Sequence, residues 1–163
     1  IKMDNKINLL VTLDDNYMPR LQVLLTSIHI NNPGESFEIW LIHSSISQAW
    51  LDKIEKQCGS FDYQFSPLKI DSSYFENAPV TRQYPQEMYY RLLAPYLLPD
   101  NVHRILYLDP DTLVINPLRP LWETDMQGNI FAAAAHTGKT ELANNINQVR
   151  LGTDHPTSTP ASF

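Results

Sequence analysis

Asp109 and Asp111 close an apolar run in ILYLDPDTLVINP (105–117), leaving two carboxylates two positions apart with Pro110 between them. In an extended segment, residues two apart face the same side, so both carboxylates can address one hard cation. Mn²⁺ or Mg²⁺ prefers such oxygen ligands and would bridge them to the phosphates of a substrate. Pro110 lacks a backbone donor and limits further sheet pairing, which suits a strand that is ending. A solvated turn is the competing reading, because a chain with eleven aspartates holds such a pair easily by chance. The position directly after ILYL favours the cation.

Two other groups have the chemistry to assist. Asp14 and Asn16 follow the apolar run INLLVTL (7–13) and could bind a base or ribose, or simply cap the next helix. Arg91 lies in EMYYRLL, where a guanidinium wants a carboxylate or phosphate partner, either in a ligand or among the aspartates. His136, after four alanines, reads as a satisfied strand-end histidine, and Lys139 as a solvated residue at a helix start.

The elements that must position these residues follow from periodicity. INLLVTL (7–13), apolar on both faces, suits a central parallel strand. YMPRLQVLLTSIHI (17–30) has helical spacing, with Pro19 near its start and Asn31-Asn32-Pro33-Gly34 ending it. FEIWLIHS (37–44) is a second strand. SQAWLDKIEKQC (47–58) is an amphipathic helix with Ser47 as N-cap and Gly59 beyond its end, and FDYQFSPLKI (61–70) is a third strand. Residues 71–85 read as loop, and QEMYYRLLAPYLL (86–98) as a helix interrupted by Pro95. RILYLD (104–109) is the next strand, with TLVI (112–115) as a short extended continuation. NIFAAAAH (129–136) is a further strand and KTELANNINQVRL (139–151) a helix.

This alternation predicts an open, mostly parallel α/β sheet with helices on both faces and right-handed crossovers. Ligands in such sheets bind beyond the carboxyl ends of the strands. Asp14-Asp15-Asn16, Asp109-Pro110-Asp111 and His136 all stand at such ends, and parallel strands would bring them to one rim. The predicted organisation is one α/β domain over 1–152 and an irregular tail over 153–163.

Bulk properties narrow the function. A net charge of −6 and a pI near 5.2 make nucleic acid an unsuitable partner. Cys58 is the only cysteine, which excludes an internal disulfide and a thiolate cluster. Neither a signal peptide nor an apolar run of membrane-spanning length is apparent, so a cytoplasmic protein without a transmembrane segment is expected.

Asp-Pro-Asp-Thr resembles the motif of aspartate-nucleophile phosphatases only weakly, since no glycine follows Asp111 and the pair comes late in the chain. AAAAHTGKT (132–140) has Ala133 where a P-loop needs its first glycine. VTLDDNY (11–17), YYRLLAPYLLP (89–99) and ILYLDPDTLVINPLRPLWETD (105–125), in this order and spacing, resemble instead the family 8 retaining glycosyltransferases. That family includes bacterial lipopolysaccharide galactosyltransferases and glycogenins, and the resemblance runs from about residue 7 to residue 152.

The resemblance implies a nucleotide-diphosphosugar transferase (GT-A) fold, and a metal-dependent transfer of a hexose from a UDP-sugar donor to a sugar, glycan or lipopolysaccharide-type acceptor. It implies Mn²⁺ (or Mg²⁺) on Asp109 and Asp111, Asp109 also near the ribose, Thr12, Asp14 and Asn16 around the uridine, and Arg91 on the donor side. No nucleophile candidate is evident. Family members continue with an Asn-Ala/Ser-Gly strand, a Gln/Asp-rich segment and a late metal-binding histidine, none of which occurs here. The expectation is therefore a chain incomplete on its C-terminal side, lacking the third protein ligand and prone to self-association through uncovered apolar surface. A UDP-sugar-binding module without transfer activity is the alternative. Peripheral association with a membrane is compatible with either.

Overall fold

The computed structural model describes residues 6–71, 73 and 87–133. It divides into two compact units, Ile1–Glu123 and Thr124–Phe163. Most of the loop predicted over 71–85, the end of the 129–136 strand with His136, Lys139 and the helix over 139–151, and the tail over 153–163 lie outside the described residues.

The first unit is built on a four-stranded sheet of order β3-β2-β1-β4. Its strands are β1 (Ile7–Thr12), β2 (Phe37–His43), β3 (Gln64–Lys69) and β4 (Leu106–Tyr107), and every pairing is parallel. β1 is interior, as its two-sided apolar pattern predicts. Ile7, Leu9 and Val11 join Phe37, Ile39 and Leu41 in one core, while Leu10 faces the other way with Trp40 and Ile42. The first core is covered by α1 (Met18–Asn31) and α2 (Gln48–Ser60) through Leu21, Leu24, Leu25, Ile28 and Ile54. Tyr90 and Ala94 cover the second core, so helices lie on both faces of the sheet. Pro67 falls within β3, where an edge strand tolerates a residue without an N–H.

Several predicted details differ. Helix α2 runs through Gly59 to Ser60, and Ser47 stands at its N-cap as predicted, although its side chain makes no capping bond. Instead the Asp15 carboxylate accepts from Ser47 N at 3.0 Å, so the loop after β1 ties down the start of α2. The 86–98 helix is three short pieces: α3 (Glu87–Tyr90), a 3₁₀ turn at Arg91–Leu93, and α4 (Ala94–Leu97) with Pro95 in its first turn. The ring of Pro95 is incompatible with a continuous helix through residue 91, and the tighter turn resolves the conflict.

Residues 112–115 do not extend the sheet. They cross to the C-terminal half of α1, whose polar side chains take the place of a strand partner. Ser27 Oγ accepts from Val114 N at 3.0 Å, and Asn31 Nδ2 donates to Val114 O at 2.9 Å. Buried Asn32 accepts from Leu118 N at 2.6 Å and donates to Ile28 O at 2.9 Å. Arg119, opening the short helix α5 (Arg119–Trp122), forms an ion pair with Glu35.

In the second unit, residues 129–133 form no strand. Gln127 and Gly128 both have positive φ (49° and 78°), and Asn129 N donates to Met126 O at 2.7 Å. Two left-handed residues closed in this way make a tight reversing turn where the apolar pattern of NIFAAAAH predicts extended chain.

Two titratable groups predict the acid response of the fold. His43 is 2% exposed and its Nδ1 accepts from Ile46 N at 3.2 Å, which leaves the neutral ring protonated on Nε2. Burial and then Lys69 hold its pKa below 6.5, against an opposing pull from Asp15. The hydrogen bond from Arg119 likewise lowers Glu35 from 4.5. A depressed folded pKa gives stability that is full above the unfolded value and lost as pH falls through the folded one. Urea midpoints are therefore expected to fall on acidification, first below about pH 6.5 and further below about 4.5. A flat midpoint through the first window would be inconsistent with a buried, neutral His43.

Candidate functional site

The parallel pairing of β1 with β4, Leu9 opposite Leu106 and Leu10 opposite Tyr107, sets the carboxyl ends of these strands side by side. Leu108 N extends the contact by donating to Leu10 O at 3.1 Å. Thr12 to Asn16 and Asp109 to Asp111 therefore leave the sheet at adjacent points on one rim. This is where open α/β sheets place ligands.

Asp109 and Asp111 are exposed, but not on an extended strand. Thr112 N donates to Asp109 O at 3.1 Å and Thr112 Oγ1 donates to the same oxygen at 2.7 Å, closing a β-turn over 109–112. Pro110 occupies the second position of the turn, for which its fixed φ is suited, and it is buried while both aspartates are exposed. The predicted alternation of a pleated strand therefore does not orient the pair; a turn anchored through its proline presents it.

Asp14 is engaged on both oxygens. Oδ1 accepts from Asn16 N at 2.9 Å and Tyr17 N at 3.2 Å, and Oδ2 accepts from Asn16 Nδ2 at 3.2 Å. It caps the 3₁₀ turn Asp15–Tyr17 that leads into α1. Asn16 is exposed, whereas Thr12 is 5% exposed. Thr12 Oγ1 makes no hydrogen bond of ordinary geometry, but it lies close enough to the Tyr107 hydroxyl to influence its ionisation.

Arg91 is half-buried, and its guanidinium carbon stands 4.4 Å from the centre of the Tyr107 ring. Tyr107 in turn donates its hydroxyl to Asp109 Oδ1 at 2.8 Å. Burial raises the Tyr107 pKa and Asp109 adds to this, opposed by Thr12 and Arg91, so the phenol remains a proton donor at neutral pH. Three expected site residues, Thr12, Arg91 and Asp109, thus meet at one side chain that ILYLD presents as part of its apolar run. A tyrosine two positions before the aspartate, on the same side of a strand, was the available signal. His43, at the end of β2, is a second rim residue that sequence reasoning did not single out.

Cys58 is fully buried and its thiol is pushed up to about 12 by burial and by Glu55, which removes it from nucleophilic chemistry. Among the described residues, no three His, Cys, Asp or Glu side chains converge on a point that could hold an ion. No helix among them is long and apolar enough to cross a membrane.

The sequence pattern of Glycosyl transferase family 8 matches residues 8–158. General stress protein A of Bacillus subtilis is 25% identical over 154 residues, covering 93% of this chain and 54% of that protein. Lipopolysaccharide 1,2-glucosyltransferase of Escherichia coli K12 is 26% identical over 126 residues, covering 77% of this chain and 37% of that protein. The chain thus spans about half or less of the length of these curated relatives. Among solved structures, the galactosyltransferase LgtC in complex with donor and acceptor sugar analogues superposes with a TM-score of 0.68 at 26% identity, over 74% of this chain and 43% of that one. GlyE of Streptococcus pneumoniae has the same fold, with a TM-score of 0.62 at 19% identity, over 96% of this chain and 41% of that one. The architecture is that of a GT-A type sheet.

Proposed function

The chain belongs to glycosyl transferase family 8, and from that membership we propose that it forms the donor-nucleotide part of a metal-dependent retaining glycosyltransferase. The donor is a UDP-sugar, and the acceptor a sugar, glycan or lipopolysaccharide-type molecule. The observation that carries this reading is the β1–β4 pairing, which puts the Thr12–Asn16 loop and the Asp109–Asp111 turn on one rim. The names of the relatives support it: one is a lipopolysaccharide 1,2-glucosyltransferase, and one was solved with donor and acceptor sugar analogues.

Asp109 and Asp111 hold Mn²⁺ or Mg²⁺ in this reading. The donor set fits such an ion, since both carboxylates are exposed and offer hard oxygens. When bound, the cation neutralises charge developing on the departing UDP. The protein's own part is placement. Asp14 holds the loop in shape through three hydrogen bonds, leaving Asn16 exposed toward the uridine, with Thr12 beneath. Asp109 reaches the ribose side, and Arg91 stands on the donor side. We place the protein in the cytoplasm, peripheral to a membrane where its acceptor is a lipopolysaccharide.

Calorimetric titration of UDP into this chain, with and without Mn²⁺, tests the proposal. Binding that strengthens markedly with Mn²⁺ is expected. A folded chain that binds no UDP in the presence of Mn²⁺ would overturn it.

A further inference from the structure

Tyr107 sits where the metal reading needs a part that the two aspartates do not supply. A carboxylate on an exposed turn rotates freely about its side-chain bonds, and a cation that binds it must freeze that freedom. Asp109 is already restrained, because its Oδ1 accepts the Tyr107 hydroxyl at 2.8 Å. A bond from a neutral donor to an ionised acceptor is charge-assisted and stronger than an ordinary one. It also orients the carboxylate without adding a positive charge beside an incoming divalent ion.

The tyrosine is itself fixed from two directions. Its backbone is in the ladder opposite Leu10, and the Arg91 guanidinium lies 4.4 Å from the ring centre. We propose that Tyr107 is the positioning residue of the divalent-cation site, holding Asp109 through Oδ1 so that Oδ2 is the oxygen presented to the ion. The proposal rests on the metal reading above. It assigns Arg91 a second task, that of fixing the ring.

The test is Mn²⁺ binding to the full chain, followed by loss of the free-ion EPR signal, in the wild type and in Tyr107→Phe. Phenylalanine keeps the ring against Arg91 and removes only the hydroxyl. Outer-shell partners of metal ligands typically contribute ten- to a hundredfold in affinity, and a loss of about that size is expected while both chains remain folded. Arg91→Lys, which keeps the charge but loses the flat face, is a second variant with a smaller expected loss. Equal or tighter Mn²⁺ binding in both variants would overturn this proposal alone. Absence of Mn²⁺ binding by the folded wild type would overturn the metal reading and this proposal with it.

A second arm needs no metal. Urea unfolding of Tyr107→Phe, Asp109→Ala and the double variant is expected to be non-additive, because each single change removes one side of the Tyr107–Asp109 hydrogen bond. Strict additivity would overturn the proposal. A hydroxyl with a merely structural role would lower the unfolding midpoint and leave Mn²⁺ affinity unchanged.

Discussion

Asp109→Asn combined with Asp111→Asn is expected to abolish Mn²⁺-dependent binding of UDP while leaving the fold intact. Asparagine matches aspartate in shape and is equally at home in a β-turn, so the 109–112 turn and its buried Pro110 are retained. What disappears is the pair of negative charges, and a neutral amide oxygen is a much poorer ligand for a hard divalent ion. These carboxylates are the proposed ligands themselves, so the loss should exceed the ten- to hundredfold typical of outer-shell partners, reaching at least about a hundredfold. Calorimetry of UDP with Mn²⁺ reads the effect, and circular dichroism reads the fold. Asp52→Asn on α2, with half the charge change of the double variant, is the control and should bind as the wild type does. Undiminished binding in the double variant would place the cation elsewhere.

The second large effect concerns stability. Asn32→Ala is expected to lower the free energy of unfolding by about 2–3 kcal/mol, because it strands buried groups on both sides of one contact. Asn32 is 2% exposed, and it both accepts from Leu118 N and donates to Ile28 O. Alanine fills neither role, and water has little access to replace it. The effect extends toward the rim, since the segment that follows Asp109 and Asp111 is hydrogen-bonded to Ser27, Asn31 and Asn32. Urea unfolding of the variant measures the loss. A change within about 0.5 kcal/mol, as at an ordinary surface position, would show that the contact is not formed in solution.

Much of the sheet was legible in the sequence because its signals are local. The runs INLLVTL, FEIWLIHS and FDYQFSPLKI, and the helices between them, fall within a few residues of the observed elements. Their apolar spacing is decided within one element, whatever it later packs against. Pro67 is a small exception: only the tertiary position of β3 at the edge makes it harmless.

The rim was legible in residue type but not in arrangement. Asp14 carried two readings, pocket and cap, and the structure shows a cap engaging both its oxygens. Pro110 read as the end of a strand, yet it also buries the centre of the turn. Residues 112–115 read as extended chain continuing the strand, because nothing in TLVI reveals that its hydrogen-bond partners are polar side chains of α1. Tyr107 was hidden in the same way. Its connections to Thr12, Arg91 and Asp109 exist only once distant parts of the chain are side by side.

The late place of β4 in the chain has a consequence in time. β1, β2 and β3 follow one another through short crossovers, so their part of the sheet can assemble from neighbouring chain. β4 pairs with β1 only after nearly a hundred intervening residues, and the hydrogen bonds that join Ser27, Asn31, Asn32 and Glu35 to the 114–119 segment span 83 to 87 residues. Closing long loops before their contacts form is entropically costly and slow. During synthesis, the ribosome completes the first three strands seconds before it makes the fourth, at rates of about 5–20 residues per second. In that interval the Val114, Leu118 and Arg119 partners of Asn31, Asn32 and Glu35 are not yet translated. The rim that gathers Thr12, Arg91, Tyr107 and Asp109 is therefore among the last parts of the first unit to come into being.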